Sequence, residues 1–382
     1  MSGKTKRITT KTIHLSNPYS SFKKVFSDFA YSKIMIFYTI ATLAFHMLSL
    51  FLQIYYVATN YSVELICRYG PMMCLAIYVV TAKVVGVFYY KTFTMLENQC
   101  LFVLWKTCNS SPTTQRLILN KSLKMNQKLH LALMSYFLLA IVMLPTWGDL
   151  NELFIFSQVY ERYFKFWAPV LYYFYISTFL WCSYYSFHLP GCILYLTLLL
   201  DVQIKLINDK ITEIDQNFSQ NEISETLRLC ISHHIALKRW MSTLAKMVNS
   251  VMPVFVLLGA LSTVAVSFFV LNTLQNTTMI LKIRLAILTV CNFVIVSTFA
   301  ELGQIFSDQN NSLFEHLIDC PWYLWNVKNR KILLMFMANC MKPKTFSWGG
   351  ITLDYSFAIS ILKTSFSYAL ILFKLRGETI RN

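Results

Sequence analysis

Long apolar runs that lack charged residues dominate the chain. The stretch from Ile34 to Val63 contains no Asp, Glu, Lys or Arg, and the stretch from Tyr69 to Tyr90 is interrupted only by Lys83. A helix of about 20 apolar residues crosses the hydrocarbon core of a bilayer. The pattern predicts seven membrane-spanning helices, near residues 34–57, 71–90, 130–147, 166–200, 251–272, 285–300 and 355–373.

The fourth run, from Phe166 to Leu200, is longer than one crossing of a bilayer requires. At about 1.5 Å per residue, a helix over the whole run would be about 50 Å long. We therefore expect it to tilt or to protrude from the membrane. The pair Pro190-Gly191 inside the run predicts a kink.

Composition supports a membrane protein. Hydrophobic residues make up 56% of the chain and charged residues only 14%, and a water-soluble globule of this composition would expose large apolar patches. The net charge of +16 raises the possibility of nucleic-acid binding. Proteins that bind nucleic acids are usually polar as well as basic, so the surplus favours a protein embedded in membrane lipids, with its basic residues on one side.

The basic residues divide unequally between the two sides of the predicted membrane. The side that contains the N-terminus holds 24 Lys and Arg residues, and the side that contains the C-terminus holds seven. Because cytosolic segments are enriched in Lys and Arg, the N-terminus is predicted to be cytosolic and the C-terminus extracellular. This topology is the inverse of that of G-protein-coupled receptors.

The polar segment after the fourth span, residues 201–246, is predicted to be helical. Ile204, Ile207, Ile211 and Ile214 follow one another at spacings of three and four, which places them on one face of a helix. Such an apolar face requires a partner. We therefore expect the cytosolic helices to pack together beneath the membrane.

No grouping of residues indicates catalysis, a bound metal or a cofactor, so the chain is not predicted to be an enzyme. His233 and His234 are adjacent and would point about 100° apart on a helix. His46 and His188 each lie alone in a span, where a hydrogen-bonded packing role is expected. Lys83 is expected to extend its amine to the cytosolic interface.

Aromatic residues and methionines cluster in spans two to four and indicate a pocket for a small apolar ligand in the outer half of the bundle. Ordinary helix packing and an interfacial aromatic belt are the competing explanation. Tyrosine hydroxyls would meet one or two hydrogen-bond acceptors of the ligand. The candidate lining residues are Met73, Ile77, Tyr78, Leu139, Met143, Trp147, Tyr172, Tyr175, Ile176, Phe179 and Phe268.

Two sequons lie on the predicted outer side, at Asn60 and Asn276, and are candidate glycosylation sites. The ten cysteines show no disulfide framework. Only Cys67 lies in a predicted outward loop, and the others are expected to be free and mostly buried thiols.

The last span carries a distinctive motif, Ile361-Leu-Lys-Thr-Ser-Phe-Ser-Tyr368, followed by an apolar stretch. Here the chain resembles the insect odorant receptors. Further upstream, the segment Leu229-Cys-Ile-Ser-His-His234 is similar to a cytosolic element of that family. The related gustatory receptors have T-Y-x5-Q-F where this chain has Tyr368 followed by Lys374-Leu375. Other positions that match the odorant receptor pattern are Asp201, Gly303, Leu313, Trp322, Tyr323 and Pro343.

The resemblance implies an odorant-gated, non-selective cation channel that forms heterotetramers with a co-receptor subunit. It also implies a plasma-membrane location, in the dendrites of olfactory sensory neurons. On motif position, Tyr368, Ile371, Lys374 and Leu375 would line the pore and its gate. The implied organisation is a cytosolic segment (1–33), spans one to four with the pocket (34–200), a cytosolic helical segment (201–250), spans five and six (251–306), cytosolic anchor helices (307–353), a pore-lining span (354–376) and an extracellular tail (377–382).

Lys374 departs from the co-receptor, which has glutamine at this position. Four lysines around one narrow pore would repel entering cations and one another, whereas one lysine among three glutamines is tolerable. We therefore expect the chain to conduct poorly without the co-receptor. A gustatory receptor-type channel is the main alternative, and a transporter is disfavoured because no chain of buried acids and bases and no inverted repeat is evident.

Overall fold

The computed structural model describes residues 17–100, 105–214, 218–273, 278–341 and 344–381. Within these ranges the fold is helical apart from one short hairpin. The helices are α1 (Ser20–Lys23), α2 (Lys33–Thr59), α3 (Val63–Asn98), α4 (Pro112–Val142), α5 (Phe156–Phe164), α6 (Ala168–Ser177), α7 (Phe179–Thr212), α8 (Gln220–Thr273), α9 (Met279–Ile318), α10 (Val327–Cys340) and α11 (Tyr355–Arg381). A π-helical turn follows α1 at Lys24–Phe29, and the hairpin pairs β1 (Ser347–Trp348) with β2 (Ile351–Thr352).

Seven of these helices are long and apolar enough to cross a membrane, namely α2, α3, α4, α7, α8, α9 and α11. The predicted all-α fold and the predicted number of spans are therefore confirmed. Several helices are much longer than the predicted spans. α8 has 54 residues and is about 80 Å long at about 1.5 Å per residue, so it joins the predicted fifth span to the charged segment that precedes it.

Side-chain caps define where several of the long helices begin. A Ser, Thr or Asn side chain just before each helix accepts a hydrogen bond from a backbone N–H in its first turn, which satisfies one of the donors that the helix leaves unpaired. The capping residues are Ser32 for α2, Ser62 for α3, Ser111 for α4, Thr278 for α9 and Asn326 for α10.

The central helix of the bundle is α7, which packs against α3, α4, α8 and α9. Of the residues in its most apolar window, 94% are buried. The predicted apolar face at Ile204, Ile207, Ile211 and Ile214 is also buried. This face is therefore a packing surface, as the sequence predicted.

The run from Phe166 to Leu200 is interrupted at Thr178, between α6 and α7. The Thr178 hydroxyl donates to the carbonyl of Tyr175 at 2.6 Å, and a side chain that bonds to the preceding turn competes with continuation of the helix. Pro190 lies inside α7, which continues through it. A Cβ atom on the neighbouring Gly191 would lie 2.3 Å from the buried ring of Phe26, so this glycine allows the N-terminal segment to pack against α7.

Two aspartates connect α7 to α4. Asp201 forms ion pairs with Lys121 and Lys205, each at 3.0 Å. Asp209 accepts hydrogen bonds from the backbone N–H of Ser111 and the hydroxyl of Thr114, both at 2.7 Å. Because these carboxylates are hydrogen-bonded or paired, they can lie in the packed interior.

The chain that leads into α11 packs closely against α9. A Cβ atom on Gly303 would lie 1.9 Å from the carbonyl oxygen of Leu353, which only a glycine permits. The rings of Phe306 and Phe346 stack at 4.0 Å. The start of α11 is thereby held against α9.

The segment between the predicted third and fourth spans contains a helix, α5. Phe156, Val159 and Tyr160 are buried on one face of it, at the spacing that an amphipathic helix requires. The Tyr160 hydroxyl lies 2.7 Å from the Ser49 hydroxyl of α2. α5 therefore packs onto the bundle as part of its core.

Candidate functional site

A cavity of about 160 Å³ lies among α3, α4, α7, α8 and α9, with further wall residues from α2, α6 and α11. An engineered protein cavity of about 150 Å³ accommodates benzene. The space therefore has the size of a small organic molecule.

Most of the cavity wall is apolar, which is typical of sites for small organic ligands. The polar and sulfhydryl residues in the wall are few and come from seven helices. They are His46, Tyr78, Tyr136, Tyr175, Cys182, Ser183, Ser186, Ser262, Cys291 and Asn292.

Five of the residues predicted to bind ligand lie in the cavity wall: Tyr78, Leu139, Met143, Tyr175 and Phe179. They come from α3, α4 and its C-terminal end, α6 and α7. All five are buried. Spans two, three and four thus each contribute at least one predicted residue to a single cavity.

The other six predicted residues are not part of the cavity wall. Trp147 is 53% exposed at the surface. Ile176 lies in the sequence between the wall residues Tyr175 and Phe179; its side chain is buried but does not line the cavity. A residue adjacent to a wall residue on a helix lies about 100° away from it. Met73, Ile77, Tyr172 and Phe268 are partly buried outside the wall.

A large part of the wall comes from helices that the sequence did not single out. α8 contributes Val248, Met252 and Phe255, and α9 contributes Cys291 and Ile295. These residues are of ordinary types for a membrane span. No sequence signal separates them from residues that face lipid.

Stacked aromatic rings close the cavity near α5. The rings of Phe156 and Tyr175 stack at 4.2 Å, and those of Phe154 and Phe179 lie 5.2 Å apart. Tyr175, Phe154 and Phe179 also line the cavity. The helical spacing of Phe156, Val159 and Tyr160 is the sequence signal for this cover.

Two tyrosine hydroxyls in the wall are engaged within the protein. Tyr78 donates to the carbonyl of Ser186 at 3.1 Å, and Tyr136 donates to the carbonyl of Cys291 at 3.0 Å. Both carbonyls are thereby satisfied in a region where an unpaired polar group is costly. These tyrosines hold α3 to α7 and α4 to α9.

Lys83 does not extend to an interface, and that expectation is wrong. Its side chain is fully buried, and its amine lies 3.3 Å from the Thr42 hydroxyl, 3.3 Å from Nδ1 of His46 and 3.8 Å from the Cys182 thiol. His46 and Cys182 both line the cavity. The side chain is directed into the bundle because α2 and α7 present polar partners at this depth.

Most of the C-terminal half of α11 is exposed. Tyr368 is 58% and Ile371 is 51% exposed, whereas Ser365 and Ala369 are buried. Lys374 is also exposed. Leu375 lies in the helix, but its side chain is outside the described residues.

Asn60 ends α2, where its Nδ2 donates to the carbonyl of Tyr56 at 2.9 Å and its Oδ1 accepts from Arg162 at 3.0 Å. Asn276 lies outside the described residues. The nine cysteines whose side chains the structure describes are all free. Burial raises the pKa of the Cys320 and Cys340 thiols to about 11, which keeps both thiols protonated and unreactive.

Comparisons with known proteins give one consistent result. The sequence profile of the family described as 7tm Odorant receptor matches residues 62–366. The fold is shared with the insect olfactory receptor OR5 from Machilis hrabei. Its structure in complex with eugenol superposes with a TM-score of 0.71 at 12% identity, covering 95% of this chain and 99% of that one. A second structure of the same receptor superposes with a TM-score of 0.67 at the same identity and coverage. No curated protein sequence matches the chain.

Proposed function

The chain belongs to the odorant receptor family, and on that premise we propose that it is a ligand-gated channel subunit. It binds a small volatile organic molecule in the cavity and opens a non-selective cation pore. Members of this family are receptors and not enzymes, which agrees with the chemistry of the sequence.

The cavity supports this function through its size and its lining. A volume of about 160 Å³ with a mostly apolar wall suits a ligand of roughly the size of benzene. The similar OR5 receptor has been solved with eugenol, a small aromatic molecule. The stacked rings of Phe156 and Tyr175 would cover one side of a ligand in the cavity.

The observation that carries the proposal is that one cavity wall includes the beginning of α11. Phe357, Ala358 and Ile361 of this helix line the cavity together with Leu353 just before it. A ligand in contact with these residues would bind with different affinity to two arrangements of α11 in the bundle. Such a difference in affinity shifts the equilibrium between the closed and the open channel. The cavity is thereby connected to the helix that would line the pore.

The exposed surface of α11 supports a role at a subunit interface or a pore. The helix packs against α8 and α9, but only 11% of its most apolar window is buried, so a single chain leaves most of its surface uncovered. Four such helices around an axis would place Tyr368 and Ile371 toward the pore. Lys374 would lie beside the gate, where one lysine among glutamines of a co-receptor is tolerated and four lysines repel.

The orientation follows from charge. The excess of Lys and Arg, 24 against seven, supports a cytosolic N-terminus and an extracellular C-terminus. The segments 201–250 and 307–353 then form cytosolic anchor helices of a heterotetramer. We expect this assembly in the plasma membrane, in dendrites of olfactory sensory neurons.

A gustatory receptor-type channel is the second candidate. It would need no co-receptor, and Ser367-Tyr368 with Lys374-Leu375 in the last helix favours the odorant branch. A transporter would require a relay of buried ionisable groups.

The decisive experiment is co-expression of this chain with the odorant co-receptor and recording of whole-cell current across an odorant panel. We expect a ligand-evoked cation current with both subunits and little current from this chain alone. Surface expression without any evoked current would refute the channel function. Robust current from this chain alone would refute the need for a co-receptor.

A pair of aromatic substitutions tests where the ligand binds. Tyr175→Ala removes a ring of the cavity wall, so the half-maximal concentration of an active odorant should rise at least tenfold. Trp147→Ala changes an exposed aromatic residue. If the ligand occupies the cavity, this substitution should change the half-maximal odorant concentration less than threefold. A large shift for Trp147→Ala alone would place the ligand at the outer surface instead.

A further inference from the structure

A buried lysine beside the cavity has no carboxylate partner among the residues that the structure describes. The amine of Lys83 contacts Thr42, His46 and Cys182, and its ammonium also lies 5.8 Å from the centre of the Tyr185 ring. The ion pairs found among the described residues all involve other lysines. Ionisable groups inside a membrane protein are costly unless paired, and they commonly mark functional sites.

The lysine lies directly behind the cavity wall. His46 and Cys182, two of the three side chains nearest its amine, are themselves wall residues, and Ser183 continues the wall next to Cys182. His46 is held in place because its Nδ1 donates to the carbonyl of Thr42 at 2.6 Å and its Nε2 lies 3.0 Å from the Thr178 hydroxyl. The amine, by contrast, ends a flexible side chain with long contacts of 3.3 Å or more.

We propose that Lys83 makes this receptor selective for small carboxylic acids, whose carboxylate pairs with the lysine at the His46 and Cys182 side of the cavity. The inference rests on the proposed function, since it names the ligand class of the same cavity. An acid that enters un-ionised transfers its proton to the amine if the amine is neutral, and an acid that enters ionised meets an ammonium. In both cases the product is an ammonium–carboxylate pair, a strong and directional hydrogen-bonded contact away from water.

The apolar wall then determines the rest of the ligand. A volume of about 160 Å³ accommodates a ring or a short alkyl chain beside the carboxylate. Suitable probes are benzoic acid with benzyl alcohol as its uncharged counterpart, and hexanoic acid with 1-hexanol. Each pair differs mainly in the group that would meet Lys83.

The test measures two independent properties of the full-length protein. Melting of the purified receptor in lipid nanodiscs reports binding, and whole-cell current with the co-receptor reports gating. We expect the acids to raise the melting temperature more than the alcohols do, and to activate at concentrations at least tenfold lower. Equal or weaker effects of the acids in the wild-type receptor would overturn the inference without any variant.

Lys83→Met keeps an unbranched side chain, one atom shorter, and removes its charge. It should raise the half-maximal acid concentration at least tenfold and abolish the melting shift by acids, with alcohol responses changed less than threefold. Lys91→Met, an exposed lysine on the same helix, is the matched control and should leave all responses within twofold. Lys83→Arg should retain the acid preference, and it replaces the methionine variant if that variant does not reach the membrane.

The outcomes separate the two proposals. Equal shifts for acids and alcohols in Lys83→Met would show that Lys83 only holds helices together, and would overturn the inference. Acid-dependent melting shifts that need Lys83, without current from any compound, would support the acid site and refute the channel function. Alcohol-evoked currents with inactive acids would support the channel and refute the acid site.

Discussion

α7 and α11 have nearly the same apolar character but opposite surroundings. Their most apolar windows have mean hydropathies of 1.6 and 1.5, yet 94% of the residues in the first are buried and only 11% of those in the second. A membrane accepts both, because lipid is as apolar as a protein core. Hydropathy therefore predicts that a helix spans the membrane, but not whether it contacts protein or lipid.

The difference also explains where polar residues occur. α7 is surrounded by protein and can carry His188 and Gln203. The backbone carbonyl of Phe26 accepts a hydrogen bond from the His188 ring at 3.2 Å, and the side-chain amide of Gln203 bonds with both the N–H and the carbonyl of Trp105. On α11, Tyr368 is exposed beside apolar residues. In the proposed channel, the hydroxyl of Tyr368 would meet the water of the pore.

The largest difference is expected for one substitution made in both helices. Leu198→Ala in α7 removes a fully buried side chain and should lower the free energy of unfolding by about 2–5 kcal/mol, because a cavity is left in a packed interior. Leu370→Ala in α11, where the side chain is 44% exposed, should change it by less than about 1 kcal/mol. Thermal melting in nanodiscs measures both, and equal losses would contradict the contrast in burial.

A second pair of variants compares aspartates. Asp209→Ala leaves the N–H of Ser111 and the hydroxyl of Thr114 without their partner and should destabilise the protein by about 1–3 kcal/mol. Asp354→Ala removes a cap whose carboxylate accepts from the N–H of Phe357 at 2.8 Å, which typically costs about 1 kcal/mol. A larger loss of melting temperature for Asp354→Ala would reverse the expected order.

A third pair separates ligand binding from gating. Phe179→Ala enlarges the cavity at the start of α7 and should raise the half-maximal odorant concentration about tenfold, which corresponds to about 1.4 kcal/mol, without increasing the current in the absence of ligand. Ile371→Ala reduces an exposed apolar side chain at the proposed gate and should increase the unliganded current several-fold, with a smaller effect on odorant sensitivity. If both variants change the same property, the two helices do not have the separate roles proposed.

The smallest effect is expected for Lys374→Gln. The substitution removes the charge proposed to repel cations, so this chain expressed alone should conduct about two to three times more current than the wild type. Its odorant sensitivity with the co-receptor should be unchanged, because Lys374 is far along α11 from the cavity residue Ile361. An unchanged current in the chain alone would indicate that Lys374 points away from the pore axis.

Apolar runs and local motifs predicted some features of the site but not others. Tyr78, Met143 and Phe179 were predicted from clustering of aromatic residues and methionines, and they share one cavity wall. Val248, Met252 and Cys291 were not predicted, because their facing depends on how α8 and α9 are rotated against α7. The position of Lys83 in its span predicts an interfacial amine, whereas polar partners on two other helices direct the side chain inward.

Local apolar runs and motifs such as Ile361 to Tyr368 are enough to predict the number of spans and the family. These properties depend on neighbouring residues and on the exclusion of charge from lipid. The central place of α7, the cover that α5 forms over the cavity and the position of Lys83 behind the cavity wall become evident only from the packing of the helices. Those features depend on residues distant in the chain, and packing against protein has no apolar signature distinct from contact with lipid.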